Sequence, residues 1–313
     1  MTEYRYKYGD KPNTPPCVMA LGFFDGVHVG HRALLARARS RADELGLALG
    51  VFTFSSEGKI KEGAARVYDD KEKAKILQEL GVDFIVFADF DSVRSVSSEE
   101  FVKNILVDNF DTACAVCGYN YRFGKRAMAS AKDLESLMNE LSRECIICDN
   151  YTVNGLSVST TLIRGLLSSA NIGEANALLG KPFRISGKVS SGNGVGRSLG
   201  YPTVNIALPS PSPLKHGVYA SALKIGGRLY KAVTNVGICP TFREREEHLE
   251  AYILDFSGSL YGENLTVYIL DFLREEKRFS TEKELIMQIN IDKNTVLYKI
   301  GDEVWEQIGQ KLQ

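Results

Sequence analysis

The first half of the chain alternates short apolar runs with longer stretches in which apolar residues recur about every 3.6 positions. The runs predict buried strands at residues 17–24, 47–54, 82–88, 112–118 and 145–149. The stretches between them predict helices at residues 32–45, 71–80, 98–109 and 132–143. Strands that alternate with helices of this length predict an α/β domain with a parallel sheet and helices on both faces. Ligands of such sheets bind beyond the carboxyl ends of the strands.

The pattern changes after residue 180 to short alternating strands with many turns, from Phe183 to Leu273. Gly226 and Gly227 separate two of these strands and predict a tight hairpin. A second hairpin is predicted around residues 257–264, between the runs LEAYILDF and LTVYILDF. This half therefore predicts an antiparallel β-barrel, followed by a helical segment at about residues 281–311. We predict two domains, with limits at 1–180 and 181–313.

Length and composition agree with two globular domains, and the charge balance indicates which kind of ligand the protein binds. The 313 residues exceed the roughly 250–300 at which single cores stop growing. Lys and Arg number 38 against 39 Asp and Glu, a formal net charge of -1, whereas proteins that grip nucleic acid are usually basic. We therefore expect small-molecule partners and no nucleic acid. The sequence does not determine the oligomeric state.

No uninterrupted apolar run approaches the length of about 18 residues that spans a membrane, and the polar N-terminus lacks the apolar run of a signal peptide. The six cysteines are spread along the chain, unlike those of a small disulfide scaffold. These features predict a reduced, cytoplasmic protein without a membrane segment.

The segment GFFDGVHVGHRALL carries the strongest candidate chemistry of the first half. A predicted strand leads into His28 and His31, and a predicted helix follows. Helix N-termini attract phosphate, and Gly30 would let phosphate approach the backbone. The pattern favours nucleotidyl transfer, in which placed donors stabilise charge around the α-phosphate. A tight structural turn and a zinc site built on the two histidines are the alternatives.

A second candidate phosphate cradle is VSTTLIRGLL, where Ser159 or Thr160 would cap a helix and Arg164 would lie one turn further on. An ordinary capped helix is the alternative. The segment GYNYRFGK follows another predicted strand. This segment, GFFDGVHVGHRALL and VSTTLIRGLL could therefore come together at one edge of the sheet.

In the second half, GKVSSGNGVGRSLGYPTVNI combines a glycine-rich loop with a short strand. Backbone N–H groups around Gly192, Gly194 and Gly196 could contact phosphates, although hairpin turns also explain these glycines. Thr203 and Asn205 would lie on one side of the strand and offer two oxygen ligands to nucleotide-bound Mg²⁺. Glu250 is the candidate general base for attack on a γ-phosphate, and a solvated strand residue is its alternative.

The cysteine pairs Cys114-x-x-Cys117 and Cys145-x-x-Cys148 suggest a four-cysteine zinc site at first. Their separation exceeds the usual spacer, and residues three apart in a strand face opposite sides. We therefore predict core thiols.

These segments occur in the order found in prokaryotic bifunctional riboflavin kinase/FMN adenylyltransferases, and nearly the whole chain resembles that family. The matching pieces are GFFDGVHVGHRALL, GVDFIVF, SSEEFV, GYNYRFGK, STTLIRGLL, GKVSSGNGVGRSLGYPTVNI, GVYAS, NVGICPTF, EAYILDFSGSLYG and REEKRF. The resemblance implies a Rossmann-like nucleotidyltransferase domain that adenylylates FMN to FAD with ATP. It also implies a six-stranded barrel that phosphorylates riboflavin to FMN with ATP and Mg²⁺.

The resemblance also implies roles for single residues. His28 and His31 would contact the phosphates of the adenylyl site. Ser159, Thr160 and Arg164 would hold the triphosphate, and Asn120 would lie near the flavin. In the kinase, Thr203 and Asn205 would organise Mg²⁺-ATP, Glu250 would act as base, and Arg274 would lie near the flavin pocket.

Three positions depart from the family pattern: residues 55–59 replace a Phe-Asp-Pro-His-Pro type segment, Lys125 is not followed by the usual glycine, and Leu162 replaces a polar residue. Two alternatives to the bifunctional enzyme therefore stay open. One is a riboflavin kinase whose adenylyltransferase domain is impaired or inactive, and the other is a non-catalytic flavin- or nucleotide-binding regulator.

Overall fold

The structure is a computed structural model that describes residues 1–55, 65–190, 200–208, 211–238 and 247–312. These residues form two compact units, one of residues 1–55 and 68–159 and the other of residues 65–67 and 160–312. No helix of the described residues is long and apolar enough to cross a membrane.

The first unit is built on a six-stranded sheet in which every neighbouring pair is parallel, in the order β1-β4-β3-β2-β5-β8. Its strands are β1 Thr2–Tyr6, β2 Cys17–Leu21, β3 Ala48–Phe54, β4 Phe84–Ala88, β5 Thr112–Gly118 and β8 Glu144–Cys148. Two small antiparallel pairs join β6 Arg122–Phe123 to β7 Ala129–Ser130 and β9 Thr152–Val153 to β10 Leu156–Ser157. The predicted parallel α/β domain is confirmed.

The five predicted strands of the sheet are all present, but β1 was not predicted. Only Tyr6 of this strand is buried, so the run shows no apolar pattern. The strand pairs with β4, about 80 residues further along the chain, and the Tyr4 ring packs edge-on against Phe84. A partner so distant leaves no local signal.

The helices of the first unit begin with capping side chains. Asp69 caps α2, and Ser130 forms a capping box with Asp133 at the start of α5. The helix predicted at residues 98–109 begins as α-helix and continues with the wider winding of a π-helix. The helices are α1 Val29–Leu45, α2 Asp70–Glu79, α3 Phe90–Val93, α4 Ser98–Glu100 with its π-helical continuation Phe101–Asn109, a 3₁₀ turn Lys125–Ala127, and α5 Ala131–Glu140.

The second unit is a closed six-stranded antiparallel barrel, in the order β11-β12-β15-β14-β13-β16, with helices at both ends of its sequence. Its strands are β11 Phe183–Ser190, β12 Thr203–Ala207, β13 Gly217–Ile225, β14 Arg228–Ile238, β15 Glu247–Ile253 and β16 Asn264–Arg274. Its helices are α6 Thr160–Ser168, α7 Ile172–Leu179, α8 Glu282–Lys299 and α9 Asp302–Lys311. The predicted barrel and terminal helical segment are confirmed.

One predicted hairpin is present and the other is wrong. Gly226 and Gly227 join β13 to β14, and both have positive φ, as a tight hairpin turn requires. By contrast, β15 pairs with β12 and β14, whereas β16 pairs with β11 and β13. The segment around residues 257–264 therefore connects two strands that are not neighbours. Alternation in a sequence identifies strands but not their partners.

Apolar side chains on one outer face of the barrel pack against the terminal helices. Val218, Ala220 and Ala222 of β13 share a cluster with Val296 of α8 and Ile308 of α9. This packing places α8 over the same side of the barrel as the candidate kinase residues described below.

Candidate functional site

His28 and His31 form a stacked pair where β2 leads into α1. Their rings lie 3.7 Å apart at 13°, and the Phe24 ring contacts His31 at 5.1 Å. His28 is the N-cap residue of α1, and its Nδ1 accepts a hydrogen bond from the His31 backbone N–H. The predicted clustering of the two histidines at a helix start is present.

Burial keeps both imidazoles uncharged near neutral pH. It lowers the pKa of His28 from 6.5 to about 4, and it also lowers the pKa of His31, with further contributions from the charges of His28 and Lys73. Because His28 Nδ1 accepts a hydrogen bond, the neutral ring carries its proton on Nε2 and can donate there. The Nδ1 atom of His31 is buried without a partner among the described residues, as expected of a group whose partner is a ligand.

Gly30 lies in a closely packed part of this turn. A Cβ at Gly30 would lie 3.3 Å from the His28 ring and 3.3 Å from Cβ of Tyr151. Tyr151, which sequence reasoning missed, therefore lies beside the histidine turn. Asn120 is exposed in the turn that follows β5, and β5 is the sheet neighbour of β2. The histidines and Asn120 thus follow adjacent strands at the carboxyl edge of the sheet.

The second predicted phosphate cradle is divided between the two units. Ser159 is exposed at the end of the first unit, whereas Thr160 and Arg164 belong to α6 in the second. The helix begins at Thr160, which puts Ser159 at the N-cap position. Arg164 donates to the carbonyl of Ala65 at 3.3 Å and to the Thr161 hydroxyl at 3.5 Å. Their role in holding a triphosphate stays a prediction.

In the barrel, strand register brings the candidate kinase residues onto one face. Asn205 of β12 and Asn235 of β14 both lie opposite Glu250 of β15. Directly paired residues share a face of a sheet, so the carboxylate stands between two amides. Thr203 lies two residues before Asn205 on the same face, and its hydroxyl donates a 2.6 Å hydrogen bond to Oε1 of Glu250.

Two cavities meet at Thr203. A cavity of about 300 Å³ contains Glu250, Asn235, Arg274 and Asp292 among its polar lining, and its apolar lining is Tyr201, Val218, Val233, Tyr252, Phe279, Leu285 and Ile289. A second cavity of about 620 Å³ is lined by Thr203, Asn205 and the loop of residues 256–261. The apolar and aromatic lining of the first suits a ring system, and the more polar lining of the second, with Thr203, Asn205 and three serines, suits phosphates.

Arg274 is held at the wall of the first cavity by a buried ion pair. Its Nε and Nη2 donate to the Asp292 carboxylate of α8 at 2.9 and 2.7 Å, and Gln288 donates to the same carboxylate at 2.9 Å. The side chain of Asp292 is 5% exposed and that of Arg274 17% exposed. The pair fixes a cation at a cavity that is lined in part by α8.

Gly192, Gly194 and Gly196 and residues 56–59 lie outside the described residues, so the predictions on them stay predictions. Cys114 and Cys117 are buried in β5, and Cys145 and Cys148 are half-buried in β8. Among the described residues, no group of three or more His, Cys, Asp or Glu is placed to hold a metal ion.

Sequence reasoning missed Tyr201, Asn235, Tyr252, Glu276 and Asp292 of the first cavity. All of these except Asp292 lie within segments quoted above, but nothing in those segments singled them out. They become neighbours through the barrel register and the position of α8, which no local pattern encodes.

Both halves of the chain match known protein families. The FAD synthetase family matches residues 10–162, and the riboflavin kinase family matches residues 179–299. A bifunctional riboflavin kinase/FMN adenylyltransferase from Pseudomonas fluorescens is 36% identical and aligns with 90% of this chain and 92% of its own. The enzyme of the same description from Bacillus subtilis is 31% identical, and the alignment covers 90% of this chain and 91% of the Bacillus enzyme.

A solved structure, described as a macrolide-efflux protein from Streptococcus pneumoniae, shares the fold over both units. The two structures superpose over 95% of this chain and 99% of the Streptococcus chain, with 29% sequence identity and a TM-score of 0.82.

Proposed function

The chain belongs to the bifunctional riboflavin kinase/FMN adenylyltransferase family and is an enzyme with both activities, and we propose which of its residues carry each reaction. It phosphorylates riboflavin to FMN with ATP, and it adenylylates FMN to FAD with a second ATP and release of pyrophosphate. The proposed kinase site lies in the barrel and the proposed adenylyltransferase site at the carboxyl edge of the parallel sheet.

Glu250 is the general base of the proposed kinase site. As the terminal hydroxyl of riboflavin attacks the γ-phosphorus of ATP, the Glu250 carboxylate accepts its proton, and ADP leaves. The observation that carries this assignment is that the two cavities meet at Thr203, whose hydroxyl is hydrogen-bonded to Glu250 in the first cavity. In this arrangement the isoalloxazine occupies the first cavity beside Arg274.

The proposed metal of the kinase site is Mg²⁺, held by Thr203 and Asn205 together with the ATP phosphates. Both residues line the 620 Å³ cavity, and hydroxyl and amide oxygens are ligands of the hard kind that Mg²⁺ binds. The ion would neutralise charge on the phosphates of bound ATP. Gly192, Gly194 and Gly196, which precede β12, are proposed to contact the same phosphates.

At the adenylyltransferase site, a phosphate oxygen of FMN attacks the α-phosphorus of ATP and pyrophosphate leaves. His28 and His31 are proposed to donate hydrogen bonds to the phosphate oxygens on which charge develops, with Gly30 in the same turn. Asn120 is proposed to contact the flavin, and Ser159, Thr160 and Arg164 the triphosphate. The unpartnered Nδ1 of His31 and the neutral state of both rings support this assignment.

We further propose residues 1–180 and 181–313 as the limits of the two catalytic domains and the cytoplasm as their location. The two family matches leave residues 163–178 between them, which include most of α6 and α7.

The experiment that tests the proposal is product analysis after incubation with riboflavin, ATP and Mg²⁺. FMN should appear first and FAD later. FMN that accumulates without FAD would show that the adenylyltransferase assignment is wrong while the kinase assignment stands. Flavin binding without consumption of ATP would contradict both.

A further inference from the structure

The face of α8 that packs against the barrel carries a charged residue among apolar ones. Leu285, Ile289 and Val296 recur at the spacing of one helical face, and Asp292 belongs to the same series. The side chain of Asp292 is 5% exposed. Leu285, Ile289 and Asp292 all line the first cavity. A carboxylate therefore stands where the helical pattern would place an apolar side chain.

Asp292 forms a bidentate bond with the guanidinium of Arg274. Nε donates to Oδ1 at 2.9 Å and Nη2 donates to Oδ2 at 2.7 Å. Gln288, one turn earlier on α8, also donates to Oδ1, and Nη1 of Arg274 donates to the carbonyl oxygen of Glu275 at 3.0 Å. These contacts with described residues use three of the five N–H groups of Arg274, so two remain for a ligand of the cavity that Arg274 lines.

Stability alone is a weak reason for a buried pair of this kind. Removing two charges from water can cost more than their attraction returns, and apolar residues of similar volume often stabilise a fold as well or better. Other contacts already hold α8 to the barrel: Val296 packs in the barrel cluster, and Lys299 pairs with Asp271 of β16 where both side chains are 43% exposed. The pair of Arg274 and Asp292 differs from these contacts because it borders the first cavity.

A guanidinium at the wall of a largely apolar cavity suits a flat ring that carries oxygen acceptors on its edge. Isoalloxazine has two carbonyl oxygens on its pyrimidine ring, and the proposed kinase site places isoalloxazine in this cavity. The arginine side chain is long and flexible, so a guanidinium that nothing held would lose conformational entropy when riboflavin binds. The bond to Asp292 fixes the guanidinium before the flavin arrives.

We infer that Asp292 is a positioning residue of the kinase site, which holds Arg274 so that its remaining N–H groups donate to a carbonyl oxygen of the isoalloxazine. The inference rests on the proposed placement of the isoalloxazine in the first cavity. Asp292 then affects the binding of riboflavin through Arg274. It does not affect the binding of ATP, whose phosphates are proposed to occupy the second cavity.

The test measures KM for riboflavin, KM for ATP and kcat of FMN formation on the full chain with Mg²⁺ present. Asp292→Asn removes the charge and one of the two acceptor oxygens. It should raise KM for riboflavin roughly 10-fold, the scale of a hydrogen bond to a charged group, and leave kcat and KM for ATP close to the wild-type values. Equal rises in KM for both substrates would show general damage to the barrel and would overturn the inference.

Arg274→Met and the double variant show whether Asp292 acts through Arg274. Arg274→Met should raise KM for riboflavin at least as much as Asp292→Asn does. The variant with both changes should bind riboflavin no more weakly than Arg274→Met, because the carboxylate has no guanidinium left to hold. If Asp292 only docked α8, the two effects would multiply, and that result would overturn the inference.

Asp271→Asn is the matched control, because it removes the exposed ion pair between the same two elements, β16 and α8. It should leave KM for riboflavin unchanged. A rise equal to that of Asp292→Asn would show that the docking of α8 is what matters, and the inference would fail.

Gln288→Met keeps the length of the side chain and removes the donor to Asp292. It should raise KM for riboflavin roughly 3-fold, the scale of one ordinary hydrogen bond. Should Asp292→Asn fail to fold, Gln288→Met decides the matter, and an unchanged KM for riboflavin would then overturn the inference.

Arg274→Met also separates the inference from the proposed function. If this variant has the wild-type KM for riboflavin, the proposed placement of the isoalloxazine beside Arg274 fails, and the inference fails with it. If Arg274→Met raises KM for riboflavin and Asp292→Asn does not, only the inference on Asp292 fails.

Discussion

The hydroxyl of Thr203 donates a 2.6 Å hydrogen bond to Oε1 of Glu250, between β12 and β15 of the barrel. The bond orients one oxygen of a carboxylate that lines the cavity containing Arg274. Thr203 also lines the second cavity. The proposed base and the proposed phosphate site are thus connected by one side chain, and the predictions for the kinase follow from it.

Replacing Glu250 by Gln should slow FMN formation by about 10²–10⁴-fold, because an amide accepts the Thr203 hydrogen bond but not the proton of riboflavin. FAD formation from supplied FMN should be unchanged. Initial rates of both reactions, measured by separation of the flavins, check the prediction. Glu303→Gln, an exposed change in α9, is the control. A Glu250→Gln enzyme that phosphorylates riboflavin at the wild-type rate would show that Glu250 is not the base.

Thr203→Val should lower the rate of FMN formation roughly 10- to 100-fold, the scale of a lost hydrogen bond to a charged group. Thr203→Ser keeps the hydroxyl and should restore most of the rate. Comparison of the two variants at saturating ATP and riboflavin separates loss of the hydroxyl from loss of packing. Equal rates for Val and Ser would contradict a role for the hydroxyl.

Asn205→Ala should raise the Mg²⁺ concentration needed for half-maximal FMN formation, because it removes one proposed oxygen ligand. The measurement is a Mg²⁺ titration of the kinase rate at fixed ATP. The Mg²⁺ dependence of FAD formation, measured on the same preparation from FMN, should not shift. A variant with an unchanged Mg²⁺ requirement would place the ion elsewhere.

The buried histidine pair should make the first unit less stable in acid. Burial lowers the pKa of His28 to about 4, whereas in the unfolded chain it titrates near 6.5. Between these values the unfolded chain binds more protons, so the free energy of unfolding falls as the pH drops from 6.5 towards 4, and His31 acts in the same direction. Hydrogen exchange of α1 at several pH values reports this change.

His28→Asn keeps a side chain that can cap α1 and removes the titrating ring. Its exchange rates, corrected for the intrinsic effect of pH, should depend less on acidification than those of the wild type. Identical pH dependence in the two proteins would contradict a contribution from His28.

The sequence predicted five of the six strands of the sheet and also the barrel, because these strands carry continuous or alternating apolar runs. It could not predict β1, whose partner strand is distant, nor that β15 and β16 do not pair. It identified Thr203, Asn205 and Glu250 separately. Their placement on one face depends on the pairing of β12 with β15, and the Asp292 that holds Arg274 comes from α8.

The central claim is that each unit carries its own site for the phosphates of ATP, and mixing two single-site variants tests it most directly. His31→Ala should form FMN normally but FAD about 10²–10³-fold more slowly, the effect of one lost donor to the transition state. Glu250→Gln should do the reverse. An equimolar mixture of the two should convert riboflavin to FAD, because FMN released by one variant is the substrate of the other. If either variant loses both reactions equally and the mixture forms no FAD, the two activities do not reside in separate sites.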